Sequence, residues 1–245
     1  MNEKCRTLLR LSHLFEQLEF HIPHGDEWHS RGSISSLLDI TMILARADIK
    51  SELLKEMDRF SNSLGRMANT PGVDTSRLEH ILQDIKRISQ SLAGLQGQLG
   101  QSIRSDEFLN SIMQRSSIAG GSFDFDLPQY HFWLNQPHAE RAMQIDSWRH
   151  DINPVQDAVD LVLGLIRDSA EPTREQAENG FFQRTLPNNT AIQLVRVTLP
   201  NDSGLYAEVS GGKHRFSIRF KEAHDWQRPS QTDRNVTFAL TSCII

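Results

Sequence analysis

The run Lys213-His214-Arg215-Phe216-Ser217-Ile218-Arg219-Phe220-Lys221 holds four cations, Lys213, Arg215, Arg219 and Lys221, all in odd positions. Read with a period of two, these fall on one face, and His214, Phe216, Ile218 and Phe220 fall on the other. The chemistry on offer is anion pairing, because an arginine fork meets a carboxylate or phosphate through two parallel N–H bonds. The plainer reading is a solvated outer face of a strand. Like charges at alternate positions repel, however, unless something negative meets them.

Other reactive groups are thinner on the ground. His21, His24, Asp26 and His29 crowd one loop, but zinc needs three or four donors converging at about 2.1 Å, which a Pro/Gly loop does not hold by itself. Asp124-Phe125-Asp126 is a DxD, more often a turn or capping motif than a metal site when it stands alone. His131 beside Trp133 has no nucleophile or partner carboxylate in view and reads as a histidine packed at a sheet–helix junction. HExxH and GxSxG are absent from the sequence, and Gly212-Lys213 lacks the spaced upstream glycine of a phosphate loop. Gly94, Gly97 and Gly100 form a GxxGxxG with no strand ahead of it, so a hinge or interhelical turn is expected. Phe216, Phe220 and Phe238 fall at core-facing positions, which removes them as a base-stacking platform.

The elements that would position these groups follow from periodicity. A helix is predicted over 2–21 from the stripe Leu8, Leu11, Leu14, Phe15 and Leu18. A polar loop is expected from His21 to Gly32, then helices from Ser33 and from about Asp48 to Met67. A capping box at Ser76-Arg77-Leu78-Glu79 predicts the next, and another falls near 106–116. Residues 122–127 read as a short extended piece. Pro128, Pro137 and Pro154 each open a helix. Past Pro172, β-rich runs appear at 181–186, 192–199, 205–210, 213–220 and 236–245, separated by turns such as Pro187-Asn188-Asn189 and Gly211-Gly212. The class is α+β: a mostly helical body over 1–178, followed by a smaller antiparallel β-domain over 179–245.

Composition bounds the function. The chain has 245 residues and a net charge of −5, yet residues 179–245 carry eight Lys and Arg against five Asp and Glu, leaving 18 against 26 in residues 1–178. An acidic body argues against general duplex-DNA binding, and a local basic site suits a small acidic partner. No apolar run approaches the roughly 20 residues that span a bilayer. Charges at Glu3, Lys4, Arg6 and Arg10 interrupt any secretory signal. Cys5 and Cys243 sit in no CxxC and read as reduced thiols of a cytosolic protein.

Several separated stretches carry a resemblance. They are Asn2-Glu3-Lys4 leading to Arg6 and Leu9-Arg10, Ser51-Glu52-Leu53-Leu54-Lys55-Glu56, and Pro71-Gly72-Val73-Asp74. They continue with Ile118 through Gly120-Gly121, Phe125-Asp126-Leu127-Pro128 with His131 and Trp133-Leu134, and Arg215-Phe216-Ser217-Ile218-Arg219-Phe220. Together these resemble the ZapD family of bacterial cell-division proteins, which associate with the tubulin-like FtsZ, along essentially the whole chain. The resemblance implies a helical domain joined to a β-domain, a homodimer, binding of the FtsZ C-terminal peptide, and cross-linking of filaments into bundles at the mid-cell division ring in the cytoplasm. It implies no enzymatic activity, no cofactor, no metal and no membrane or nucleic-acid partner.

Carried over by position, Arg215 and Arg219 are the first candidates for peptide contact, then His131, Arg10, Arg46 and Arg6. Lys213 and Lys221 join them on strand geometry alone. Relatives commonly begin with a short extended segment before the Asn-Glu-Lys, where this sequence has only Met1; if that segment pairs with the sheet, an edge is left exposed here. Glu107 stands where some relatives are expected to carry a basic residue. The rival reading from another class is a nucleic-acid or nucleotide-binding protein that uses the same cations; a metal-dependent enzyme built on the histidine loop is the third.

Overall fold

In a computed structural model of the chain, the residues described are 3–46, 48–68, 70–116, 118, 123, 125–186, 192–212, 215–222 and 230–244. The expectations that rest on Lys213 and His214, on Gly120 to Ser122, on Asp124 and on Pro187 to Asn189 lie outside them. The chain forms two compact units, one of residues 7–162 and one of residues 1–6 with 163–245.

The first unit is helical. Its elements are α1 (Glu3–His21, from Thr7 on), α2 (Glu27–Arg46), α3 (Ile49–Gly65), α4 (Thr75–Gly94), α5 (Gln101–Ser105), α6 (Glu107–Ser116), α7 (Pro128–Leu134), α8 (His138–Arg149), a 3-10 turn (His150–Ile152) and α9 (Asn153–Asp168, to Val162). The stripe of α1 is buried as its spacing demands, with Leu11 at 0% exposure and Leu18 at 1%. Burying that face removes roughly 1.5–3 kcal/mol of unfavourable hydration per large side chain. Phe108, Tyr130, Trp133 and Trp148 form an aromatic cluster with centroids 5.6–6.0 Å apart. Burial pushes the Tyr130 hydroxyl up to about 12.

Two helix starts differ from expectation. The segment read as a loop up to Gly32 is helical from Glu27, because Asp26 caps it: the His29 amide donates to Asp26 Oδ1 at 3.0 Å. At α4 the cap is Asp74, which accepts from the Arg77 amide at 3.0 Å, and the helix begins at Thr75, ahead of the Ser76 box. In both places an aspartate closer to the preceding loop wins the capping role.

The second unit is a pair of antiparallel sheets. Its strands are β1 (Thr173–Ala177), β2 (Phe181–Thr185), β3 (Ile192–Thr198), β4 (Leu205–Gly211), β5 (Arg215–Glu222), β6 (Ser230–Gln231) and β7 (Val236–Ile244). One sheet runs β1-β7-β3 and the other β2-β5-β4, with β6 also on β5. Ala177, Val236, Phe238 and Leu240 of the first sheet and Phe216, Ile218 and Phe220 of the second form one buried cluster. The alternating half of β5 thus faces the core, as its spacing predicts. The α+β class holds. Strand β1 is an addition: Thr-Arg-Glu-Gln-Ala has almost no apolar content, and its pairing with β7 is a long-range event that no local pattern announces.

Candidate partner-binding site

Strand β5 lies in the middle of its sheet, so the residues opposite its cations are set by register. Phe181 of β2 and Glu208 of β4 stand opposite Arg219, Thr185 stands opposite Arg215, and Gln183 and Ser210 flank Ser217. Directly opposed residues share a face. The outer surface of β2-β5-β4 is therefore a grid, with uncharged polar groups in its middle row and arginines above and below.

Arg215 and Arg219 are both exposed. Among the described residues no carboxylate pairs with either; the Arg219 guanidinium lies 5.7 Å from the centroid of the Phe181 ring. Between the two arginines is a depression of about 300 Å³, floored by Ser210, Gly211, Gly212 and Ser217 and edged by Phe181 and Gln183. The residues of the floor have little or no side chain, which leaves room for an extended backbone with a cation at each side.

Lys221 differs. Its ammonium pairs with Glu208 across β4 and β5 at 2.9 Å, and the side chain is only 24% exposed. Part of the negative charge that the row of cations demands is therefore supplied by the chain itself. The sequence shows Glu208 in an alternating run, but the register that sets it beside Lys221 and Arg219 is not written there.

The remaining candidates stand elsewhere. Arg10, Arg46 and His131 belong to the helical unit, on α1, α2 and α7, and Arg6 is grouped with the β-unit. His131 corrects an expectation: it is exposed, with Nε2 at 3.3 Å from Asn135 Nδ2, because the residues that α7 buries are Tyr130, Trp133 and Leu134. Arg46 is exposed at the end of α2 and borders a cavity of about 380 Å³ with Asp48, Lys50 and Gln98. Cys5 and Cys243 are free thiols, both buried, and burial raises the pKa of each.

The histidine loop is organised by stacking. His21 Nδ1 and His29 Nδ1 are 2.9 Å apart, and the rings of His24 and His29 stack at 4.1 Å. His24 Nδ1 lies 2.9 Å from the Phe20 carbonyl, and Asp26 Oδ2 lies 3.6 Å from His29 Nε2. Burial, then the neighbouring His29 and His24, hold His21 below the usual histidine value. Among the described residues no group of three or more His, Cys, Asp or Glu is arranged to hold a metal ion. Nor is any helix of the described residues long and apolar enough to cross a membrane.

A sequence model of the ZapD family, described as a cell division protein, matches residues 9–219. The chain belongs to the ZapD family. The cell division protein ZapD of Methylococcus capsulatus is 40% identical over 245 residues, covering 100% of this chain and 96% of that protein. The protein of the same name from Escherichia coli O17:K52:H18 is 38% identical over 248 residues, covering 99% of this chain and 96% of its own length, and that of Shigella boydii serotype 18 matches to the same extent. The match with the ZapD family model spans all of the helical unit from Leu9 on and reaches Arg219 on β5.

Proposed function

We propose that this ZapD-family chain is a non-enzymatic cell-division factor. In this reading it binds the C-terminal tail of FtsZ across the outer face of β2-β5-β4 and, as a cytoplasmic homodimer, cross-links FtsZ filaments at the mid-cell division ring. The observation that carries the reading is the pair Arg215 and Arg219, exposed and without a carboxylate partner among the described residues, on either side of the depression. Four residues along a strand separate them by about 13 Å. An extended acidic tail with carboxylates at matching spacing meets both. Lys221 is held by Glu208 and contributes less than the arginines; His131, Arg10, Arg46 and Arg6 are proposed as further contacts on the family pattern, and Lys213 on its place in the alternating run.

An exposed ion pair contributes about 0–1 kcal/mol, so each site binds weakly and two sites per dimer gain strength along a polymer. Binding should be micromolar and should weaken as salt rises. Titration of a fluorescent FtsZ tail peptide, with tail-deleted FtsZ as control, measures it directly. Arg215→Glu combined with Arg219→Glu should abolish tail binding and filament bundling in a sedimentation assay while the circular dichroism spectrum is unchanged. Undiminished bundling by that double variant removes this face from the mechanism, and tight binding of single-stranded DNA in competition with the peptide replaces the partner.

A further inference from the structure

Helix α2 carries a stripe that its own unit leaves uncovered. Trp28 is 78% exposed and Met42 is 39% exposed. Ser35 is exposed between them, and Arg31 and Asp39 are half-buried. Steps of three and four residues put all five on one side of the helix. The stripe runs along a groove of about 400 Å³ whose other wall includes Ile112 and Met113 of α6 and Tyr130 of α7.

The chemistry of this stripe reads the same from either end except for sign and shape. Ser35 is the midpoint. Arg31 and Asp39 lie four residues to either side of it, and Trp28 and Met42 seven residues to either side. We infer that this face of α2 docks on the same face of a second copy of the chain, antiparallel, about a two-fold axis at Ser35; the inference rests on the homodimeric reading above and locates its interface.

A two-fold axis exchanges the two copies, so every contact occurs twice. Arg31 meets the partner's Asp39 at two equivalent places. Trp28 meets the partner's Met42 at two more, a pairing in which a flexible thioether packs well on an indole. Asp39 has no cationic partner within its own chain among the described residues. Arg31 spends Nε and Nη2 on Glu27, at 2.9 and 2.8 Å, and its guanidinium carbon lies 5.0 Å from the Tyr130 ring centroid and 5.9 Å from that of Trp28. A guanidinium has five N–H donors, so it can serve Glu27 and a second carboxylate together. The small side chain at the centre lets the axes approach to about 8–10 Å. A parallel arrangement would set Arg31 on the partner's Arg31 and Asp39 on the partner's Asp39, so charge selects the antiparallel one. Trp28 to Met42 spans about 21 Å of helix, too narrow a strip to reach about 800 Å² per partner alone. The α6 wall, Met113 and Ser116, must be covered as well.

Sedimentation velocity on the full chain over a range of concentrations tests the arrangement. Asp39→Arg and Arg31→Asp each place like charges at both symmetric contacts and should raise the dimer dissociation constant by about 100-fold. Mixed in equal amounts, the two variants should dimerise as wild type does, since one chain then offers Arg at both positions and the other Asp at both. Independently, Ser35→Cys should form a covalent dimer under mild oxidation, and Ser147→Cys, exposed on α8, should not; the native thiols are buried and contribute little background. Single variants that dimerise normally, a mixture that stays monomeric, or a Ser35→Cys chain that does not cross-link overturns the inference. If wild type dimerises regardless of these changes, only the interface is wrong. If wild type is monomeric throughout, the homodimeric reading falls with it.

Discussion

Gly180→Ala puts a methyl carbon where the β-unit has no room for one. Gly180 follows Asn179 in the turn that takes the chain from β1 into β2, and the two residues have φ of 68° and 48°. A Cβ on Gly180 would fall 2.5 Å from the Thr232 carbonyl oxygen and 2.8 Å from Thr232 Cγ2. The left-handed backbone by itself costs alanine about 1–2 kcal/mol. Relieving the clash means moving backbone that is already bonded: the Gly180 amide donates to the Arg234 carbonyl at 2.9 Å, the Phe220 amide to the Gly180 carbonyl at 2.8 Å, and the Thr232 amide to the Phe220 carbonyl at 3.1 Å. Weakening two or three such bonds at about 1 kcal/mol each brings the total to about 3–5 kcal/mol. Gly204 supplies the control, with φ of 64° and no atom within 4 Å of its added carbon, so Gly204→Ala should lose only the first part. Urea unfolding of both variants, read together with hydrogen exchange of peptides from β2 and β5, measures the difference. A Gly180→Ala cost within about 0.5 kcal/mol of that of Gly204→Ala would mean that the turn yields and that Thr232 does not oppose the added carbon.

Two more outcomes follow from the helical unit. His21 is held below its ordinary value of 6.5 chiefly by burial, so folding favours the neutral ring; its stabilising contribution is complete above pH 6.5 and is lost as pH falls through the depressed folded value. Between about pH 7.5 and about pH 5 the unfolding midpoint should drop more steeply in wild type than in His21→Asn, and equal slopes would contradict this. Arg141 is 5% exposed, and its guanidinium donates to the Gly25 and Gln136 carbonyls and to Ser30 Oγ. Arg141→Met leaves those acceptors unmet and should cost about 2–4 kcal/mol, seen as a melting temperature lower by about 5–15 °C at 222 nm. Arg141→Lys should recover less than half of that, because a single ammonium cannot span the fork; full recovery would mean that charge, not shape, is what the site needs.

What the sequence makes legible is what local spacing controls. Leu8, Leu11, Leu14, Phe15 and Leu18 announce α1, Pro128 opens α7, and the alternation from Phe216 to Phe220 separates the inner face of β5 from its outer one. What it hides depends on partners distant in the chain. Thr173–Ala177 becomes a strand only because β7 arrives beside it, with Thr173 opposite Leu240. Glu208 neutralises Lys221 only in the register that sets Ala207 opposite Phe220. The start of α2 is a nearer miss: Asp26 followed three residues later by His29 is a capping arrangement, masked by the pull of three histidines and a proline toward a loop or metal reading.

Strand β7 is the last strand among the described residues and yet the middle of its sheet, with β1 on one side and β3 on the other. While the chain is being made, neither outer strand has anything to pair with in that sheet. From the end of β3 to the start of β7 is roughly 40 residues, or some seconds of synthesis during which β1 and β3 wait with open ladders. In the second sheet β2 waits roughly 30 residues for the middle strand β5, but β5 follows β4 directly, and β2, β4 and β5 are all complete before β7 begins. The strands of the arginine-bearing sheet are thus the first to be complete, but the apolar face of β5 is buried only when Val236, Phe238 and Leu240 of β7 arrive against it.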